Sequence, residues 1–162
     1  MNSVACPAPR RLARFTLASV PGNERAAIAR VSESVAGLEL PAGRLDRLKT
    51  AVAEATMNAI EHGNDNRPDL AVDIEVVLRG AEIIVDITDR GGRGDAGQPG
   101  TGQLGTDDPA ELACEVPDLA RKLSGDQEPG GWGLFLIRHM VDGMEVTTSG
   151  ERRTVRLTMR TQ

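Results

Sequence analysis

The feature that most limits the possible folds is a pair of alternating segments joined by a short turn. Apolar and polar residues alternate over residues 72–78 and again over 83–87, which is the period of strands with one buried face. Arg79-Gly80-Ala81 lies between them and predicts a tight hairpin. A hairpin forces its two strands to run antiparallel. The predicted inward residues are Val72, Ile74, Val76, Leu78, Ile83, Val85 and Ile87.

The inward phase of the second strand continues to Asp89. A carboxylate in a buried phase is unusual, because a buried charge needs a partner. The alternative is that the strand has ended and that Asp89 only opens the following turn. The alternation supports both interpretations equally.

Two amphipathic helices are predicted before this hairpin, one capped by Asn23 and one started by Pro41. A strand over residues 11–19 precedes them. A helix after Gly133 and a closing hairpin over residues 145–148 and 154–159 follow. Hairpin-joined strands indicate an antiparallel or mixed sheet, and helices with one apolar face indicate that they share one side of it. The predicted fold class is therefore α+β, a two-layer sandwich. The apolar stripes of the helices are Ile28, Val31, Val35 and Leu38, and Leu45, Leu48, Val52, Ala55 and Ala59.

The segment from about 90 to 130 loses periodicity and is rich in glycine and proline. A connection this long is usually a functional lid or disordered. A short helix is predicted within it at residues 118–124. We predict a flexible tail over residues 1–10 and a single domain over 11–162 that carries this lid.

Composition and charge argue against several classes of function. The net charge is −5, which disfavours direct nucleic-acid binding because such proteins need a basic surface. No apolar run reaches the length of a membrane span. Cys6 and Cys114 have no metal-ligand spacing and favour two free thiols. A soluble, cytoplasmic protein is expected.

Glu54, Asn58 and His62 follow one another at four-residue intervals, so a helix would line them along one edge. The helix is predicted to end at Gly63 in a left-handed cap. A carboxylate and a carboxamide one turn apart can divide a task, since one accepts a proton and the other binds a hard cation. A solvated helix edge is the plainer alternative.

Gly131-Trp132-Gly133 enters a helix and fits an anion site, because helix N-termini offer unpaired N–H groups and glycine admits a phosphate. A plain loop is the commoner explanation of such a glycine pair. The sequence GxxxxGK[ST] of a P-loop is absent.

Three motifs in order resemble the GHKL ATPase superfamily, which has the Bergerat nucleotide-binding fold. Residues 54–63 (EATMNAIEHG) resemble its N box, Asp89-Arg90-Gly91 its G1 box, and residues 130–137 (GGWGLFLI) its G2 box. The compact size is similar to that of the anti-sigma-factor serine kinases of the RsbW and SpoIIAB type. The resemblance covers about residues 11–160.

The resemblance implies ATP and Mg²⁺ as cofactors. Glu54 would be the general base for a serine hydroxyl, and Asn58 would ligate Mg²⁺. Asp89 would accept the adenine amino group, and Gly91 would leave space for adenine. The phosphate-binding turn would comprise Gly131, Trp132, Gly133 and Leu134.

The same resemblance implies the partners: an alternative sigma factor, an anti-anti-sigma protein with a STAS domain, and a second copy in a homodimer. Arg30 would contact a partner by analogy with a basic residue in the family. The chain departs from the family at Arg93 and Gly94, where a glycine and an aromatic are frequent. Two further functions therefore stay open: a non-catalytic binding module, and a detached histidine-kinase ATPase domain.

Overall fold

The computed structural model describes residues 8–91 and 131–162. Three helices and five strands are described, with one π-helical turn that continues the second helix. In chain order they are β1 (Arg10–Ala18), α1 (Glu24–Val35), α2 (Ala42–Asn58), the π turn (Ala59–Gly63), β2 (Ala71–Arg79), β3 (Glu82–Asp89), α3 (Gly131–Met140), β4 (Gly143–Ser149) and β5 (Arg152–Arg160).

The five strands form one sheet in the order β1-β2-β3-β5-β4, and every neighbouring pair is antiparallel. Gly80 and Gly150 have φ of 59° and 60° and make the β2–β3 and β4–β5 turns, where a side chain would be strained. The predicted hairpins are confirmed. The α+β class is confirmed as well, with an antiparallel sheet.

The inner face of the sheet carries the predicted alternating residues. Ile74 lies opposite Ile87 and Val76 opposite Val85, which in turn lies opposite Leu157. These aliphatic side chains are almost completely buried. The alternation therefore specified the register, because a shift of one residue would turn every one of them to solvent.

The helices cover this inner face. Val31 and Val35 of α1 are buried against the sheet, and α1 and α2 pack together. Leu38 lies beyond the end of α1, so its predicted place on that helix is wrong, although its side chain still packs against the core. Leu48, Val52 and Ala55 of the predicted α2 stripe are buried, as are Ala51 and Thr56 beside them. Leu45 is partly buried against the core, and Ala59 is buried in the π turn.

The outer face of the sheet carries cross-strand polar pairs. Arg156 donates two hydrogen bonds of 2.7 Å to Asp86, and the hydroxyls of Thr88 and Thr154 are 2.8 Å apart. Exposed pairs of this kind contribute little stability individually. They give the sheet one face that suits water, as expected for a two-layer fold.

The predicted lid, the helix at 118–124 and residues 1–7 lie outside the described residues, so these predictions, and the domain bounds built on them, stay predictions. Across the described ranges, 8–91 and 131–162, no helix has the length and apolar character needed to cross a membrane.

Asp142, just after α3, joins three parts of the chain. One carboxylate oxygen accepts hydrogen bonds from the backbone N–H of Arg160 at 2.7 Å and from the Arg44 guanidinium at 3.0 Å. The bond from the Arg160 N–H, together with the charge of Arg44, lowers the pKa of Asp142 although partial burial opposes the shift. The start of α2 is thereby tied to the end of β5.

We expect D142A to lower the free energy of unfolding by about 1–2 kcal/mol, because two hydrogen bonds to a charged group are lost and solvent screens part of their strength. A lowered native pKa stabilises the fold above the ordinary aspartate value of about 3.9, and the contribution is lost as the pH falls below it. The difference between D142A and wild type in urea unfolding should thus be constant from about pH 5 to 8 and shrink towards pH 3. D69A removes an exposed carboxylate and is the control; equal effects of the two variants would contradict this role.

Candidate functional site

The end of α2 differs from the predicted cap. The helix widens into the π turn, where the Asn64 N–H donates to the Ala59 carbonyl at 2.8 Å. Gly63 does not have a positive φ; Asp65 and Asn66, both at 53°, make the reversal instead. The left-handed cap at Gly63 is therefore wrong. Such π turns are frequent at functional sites because they re-aim side chains.

Position 63 requires glycine for a different reason: its backbone lies very close to the end of β3. A Cβ atom on Gly63 would overlap the carboxyl group of Asp89, 2.5 Å from its Oδ2. A Cβ atom on Gly91 would in turn overlap the backbone carbonyl of Gly63. The end of the α2 segment and the end of β3 thus meet at a distance that only glycine permits.

Asp89 is in the inward phase at the end of β3, and only 4% of its surface is exposed. The interpretation of Asp89 as an inward residue is therefore correct, and the turn-opening one is wrong. Burial raises the pKa of the Asp89 carboxyl, while a hydrogen bond from the Gly91 N–H at 3.3 Å and the charge of Arg153 oppose the shift. A buried acceptor at a cavity is typical of a binding site.

The structure brings Glu54 and Asn58 together with the first turn of α3. A Cβ atom on Gly133 would lie 3.0 Å from Asn58 Nδ2 and 3.4 Å from Glu54 Oε2. Glycine at this position lets the α3 backbone lie directly against the acid and the amide. The predicted convergence of the first and third motifs is thus present in the geometry.

Two polar side-chain atoms on the last turn of α2 are buried without a hydrogen-bond partner among the described residues: Thr56 Oγ1 and Asn58 Nδ2. A buried polar group without a partner is unfavourable by about 1–3 kcal/mol. The assignment of amide nitrogen and oxygen is interchangeable, so the amide of Asn58 can present its oxygen instead. The orphaned amide indicates a binding position at this point of the helix.

Asn64 holds the segments around the site together, a role that the sequence motifs did not predict. Its side chain is fully buried; Nδ2 donates to Ser19 Oγ at 2.8 Å and to the Ala71 carbonyl at 3.1 Å, and Oδ1 accepts from the Arg90 N–H at 2.9 Å. Asn64 therefore links the π turn to β1, β2 and β3. The spacing of the N box gave no signal for it, since these partners are distant in sequence.

A cavity of about 190 Å³ opens beside Asp89. Its lining comes from the π turn, the end of β3 and the β4–β5 turn: His62, Gly63, Asp89, Gly91, Thr148, Gly150, Glu151, Arg152 and Arg153. A second cavity of about 320 Å³ shares Gly63, Gly91 and Glu151 with the first and is also lined by Asn64 and Arg90. Within the described ranges, no group of three or more His, Cys, Asp or Glu residues is placed to hold a metal ion.

The remaining predicted residues are placed as follows. Leu134 packs against the core from α3. Gly131 and Trp132 belong to the first turn of α3, and the side chain of Trp132 lies outside the described part. Arg30 is exposed on α1 with its guanidinium 5.1 Å from the centre of the Phe15 ring.

These features define a class of protein: an ATPase domain in which one helical segment meets a glycine-started helix at Glu54 and Asn58 and a buried aspartate at Gly63. A family model for the Histidine kinase-like ATPase domain matches residues 17–159. The chain belongs to this family, within the GHKL superfamily and its anti-sigma-factor kinase group.

Individual relatives agree with this assignment. The chain is 33% identical over 141 residues to an anti-sigma F factor of Oceanobacillus iheyensis, which covers 86% of this chain and 85% of the relative. It is 29% identical over 143 residues to an anti-sigma F factor of Clostridium botulinum, with 87% and 89% covered. A crystal structure of the RsbU and RsbW domains of a Mycobacterium tuberculosis protein superposes with a TM-score of 0.57 at 18% identity. The superposition spans 95% of this chain and 32% of that longer one, and it supports the fold.

The glycine contact makes a direct prediction. We expect G63A to destabilise the protein by about 1–3 kcal/mol, because the added methyl group overlaps the Asp89 carboxyl and forces β3 away from the π turn. G43A is the matched control on α2, since a Cβ atom there meets nothing within 4 Å; it should be neutral or slightly stabilising. Urea unfolding measures both variants. If G63A proved as stable as G43A, the close approach would not constrain the fold.

Proposed function

We propose that this protein is an ATP-dependent serine/threonine kinase and an anti-sigma factor, which binds an alternative sigma factor and phosphorylates a serine of an anti-anti-sigma protein with a STAS domain. The observation that carries the proposal is the contact of the Gly133 backbone with the Glu54 carboxylate and the Asn58 amide. Family membership and the names of the anti-sigma F relatives support it.

Glu54 is the proposed general base. The serine oxygen forms a bond to the γ-phosphorus, the bond to the bridging oxygen breaks, and ADP leaves. The hydroxyl proton passes to the Glu54 carboxylate. Phosphoryl transfer relies on positioning and on neutralisation of charge more than on covalent chemistry, so one base and a well-placed set of backbone donors suffice.

Asn58 is the proposed ligand of Mg²⁺. Its amide atom Nδ2 is buried without a hydrogen-bond partner among the described residues, and an amide oxygen, which is interchangeable with that nitrogen, is a suitable ligand for a hard cation. Mg²⁺ is commonly held by few protein side chains together with the phosphates of the substrate. When bound, the ion would neutralise the phosphate charge.

The two ends of ATP have separate proposed positions. Asp89 accepts the exocyclic amino group of adenine, and Gly91 leaves room for the ring. The phosphates lie at the start of α3, at Gly131, Trp132, Gly133 and Leu134, where the helix N-terminus favours negative charge. All of these residues come from the described ends of α3 and β3.

The proposed partner surface lies on α1. Arg30 is exposed, and the Phe15 ring beneath it favours an extended, ordered position of the guanidinium. Arginine presented in this way is well suited to a protein interface. The proposal includes a homodimer and a cytoplasmic location.

Kinase activity is tested with labelled ATP, Mg²⁺ and the anti-anti-sigma partner. E54Q should reduce phosphate transfer to the partner serine by about 10²–10⁴-fold, because the proton acceptor is lost. E61Q is the matched control, as Glu61 is exposed two turns further along the same helical segment, and it should transfer at the wild-type rate.

The same assay separates the alternatives. Tight ATP binding by the wild type without any transfer would favour the non-catalytic binding module. Transfer to a histidine of another protein would favour the detached histidine-kinase domain. Equal activity of E54Q and E61Q would contradict the role of Glu54.

Sigma-factor binding is tested independently. R30A should weaken binding of the sigma factor by about tenfold, as expected when an arginine anchor is truncated, and should leave ATP affinity unchanged. R25A removes an exposed arginine from the same helix and is the control. Surface plasmon resonance measures both, and equal affinities of R30A and R25A would show that Arg30 is not at the interface.

A further inference from the structure

Arg153 lies outside all three sequence motifs. Arg153 lies directly opposite Asp89 in the β3–β5 register. It occupies the same phase of β5 as Val155 and Leu157, which are buried under the helices. An arginine therefore sits on the inner face of the sheet beside the buried aspartate, and both residues line the 190 Å³ cavity.

Two other arginines of β5 are placed differently. Arg156 forms a two-pronged ion pair with Asp86 on the outer face, and Arg152 lies 3.9 Å from Asp73. Across residues 8–91 and 131–162, no direct ion pair involves Arg153. Its charge acts on Asp89 at longer range. Asp89 keeps one oxygen towards the Gly91 N–H and is not neutralised by a contact.

Burial and Arg153 act on Asp89 in opposite directions. Burial favours a neutral carboxylic acid, which carries a proton and can donate a hydrogen bond. A nearby guanidinium, which is always charged, favours the carboxylate, which only accepts. Recognition of an amino group needs the acceptor, whereas a carbonyl group in the same place would be matched by the protonated acid.

We propose that Arg153 is a positioning residue of the nucleotide site, which keeps the Asp89 carboxylate ionised so that it selects a base with an exocyclic amino group over one with a carbonyl group. This inference rests on the proposed function, because it assigns the base to the cavity beside Asp89. It adds the determinant of base specificity to that site.

Other charged groups face Asp89 and enter the design of the test. His62 from the π turn, Glu151 from the β4–β5 turn and Arg152 from β5 line the same cavity. Arg90, next in the chain, is paired with Asp73 at 3.1 Å on the outer face. His62 is the histidine of this lining, so its contribution is removed separately.

The test compares binding of ADP and of inosine diphosphate, which carries a carbonyl group in place of the adenine amino group. Calorimetry measures both affinities between pH 5.5 and 8.5 for the wild type, R153M, R153K and R156M, each also combined with H62Q. R156M removes the same charge from the same strand on the opposite face. Circular dichroism establishes that each variant is folded.

In R153M, we expect ADP affinity to resemble the wild type at pH 8.5 and its decline on acidification to shift to a higher pH than in the wild type, since affinity follows the ionised fraction of Asp89 and loss of the Arg153 charge raises the pKa of that carboxyl further. The preference for ADP over inosine diphosphate should shrink in parallel. R153K should restore the wild-type pH profile and the preference for ADP, and R156M should behave as the wild type does. The difference between R153M and the wild type should persist when both also carry H62Q.

The inference would be overturned if R153M kept the wild-type pH profile and preference, or lost affinity for both nucleotides equally at every pH. It would also be overturned if R153K behaved as R153M does. A wild-type protein that bound neither nucleotide would overturn the proposed function itself, which distinguishes the two failures.

Discussion

The structure depends on one close contact, between the end of the α2 segment and the end of β3. Gly63 lies against the Asp89 carboxyl, and Gly91 lies against the Gly63 carbonyl. Because neither glycine position has room for a side chain of its own, the helix layer and the sheet meet here through backbone and the Asp89 carboxyl. Asn64 completes the joint with three hydrogen bonds to three different strands or strand ends. The buried aspartate and the cavity beside it are consequences of this joint.

Much of the fold followed from the sequence because alternation and helical spacing are local. The two central strands, the α2 stripe and the closing hairpin lie where the pattern of apolar residues places them. The inward phase of Asp89 was visible for the same reason, but its burial was not, since the pattern does not reveal whether a strand continues. Pairing of Asp89 with Arg153 settled that point.

The features that the sequence did not predict depend on contacts between distant segments. The reason for Gly63 is a carboxyl group 26 residues away, so a left-handed cap was the natural local explanation and the wrong one. The π turn is likewise invisible in a pattern of apolar residues, because packing decides whether a hydrogen bond spans four or five residues. Asn64 and Arg153 acquire their places only once the strands have paired.

One continuous helical segment carries both groups of candidate residues, with Glu54 and Asn58 on α2 and Gly63 at its end. At 1.5 Å per residue, the nine steps from Glu54 to Gly63 span about 13 Å. The segment thus sets the separation between the Glu54–Asn58 pair and the contact of Gly63 with Asp89, and with it the separation of the proposed phosphate and adenine positions. Adding or removing one residue in it would change that length only slightly, yet would rotate one end against the other by about 100°. A change in the length of this stretch should therefore disturb the site more than a substitution at one of its exposed positions, such as Glu61.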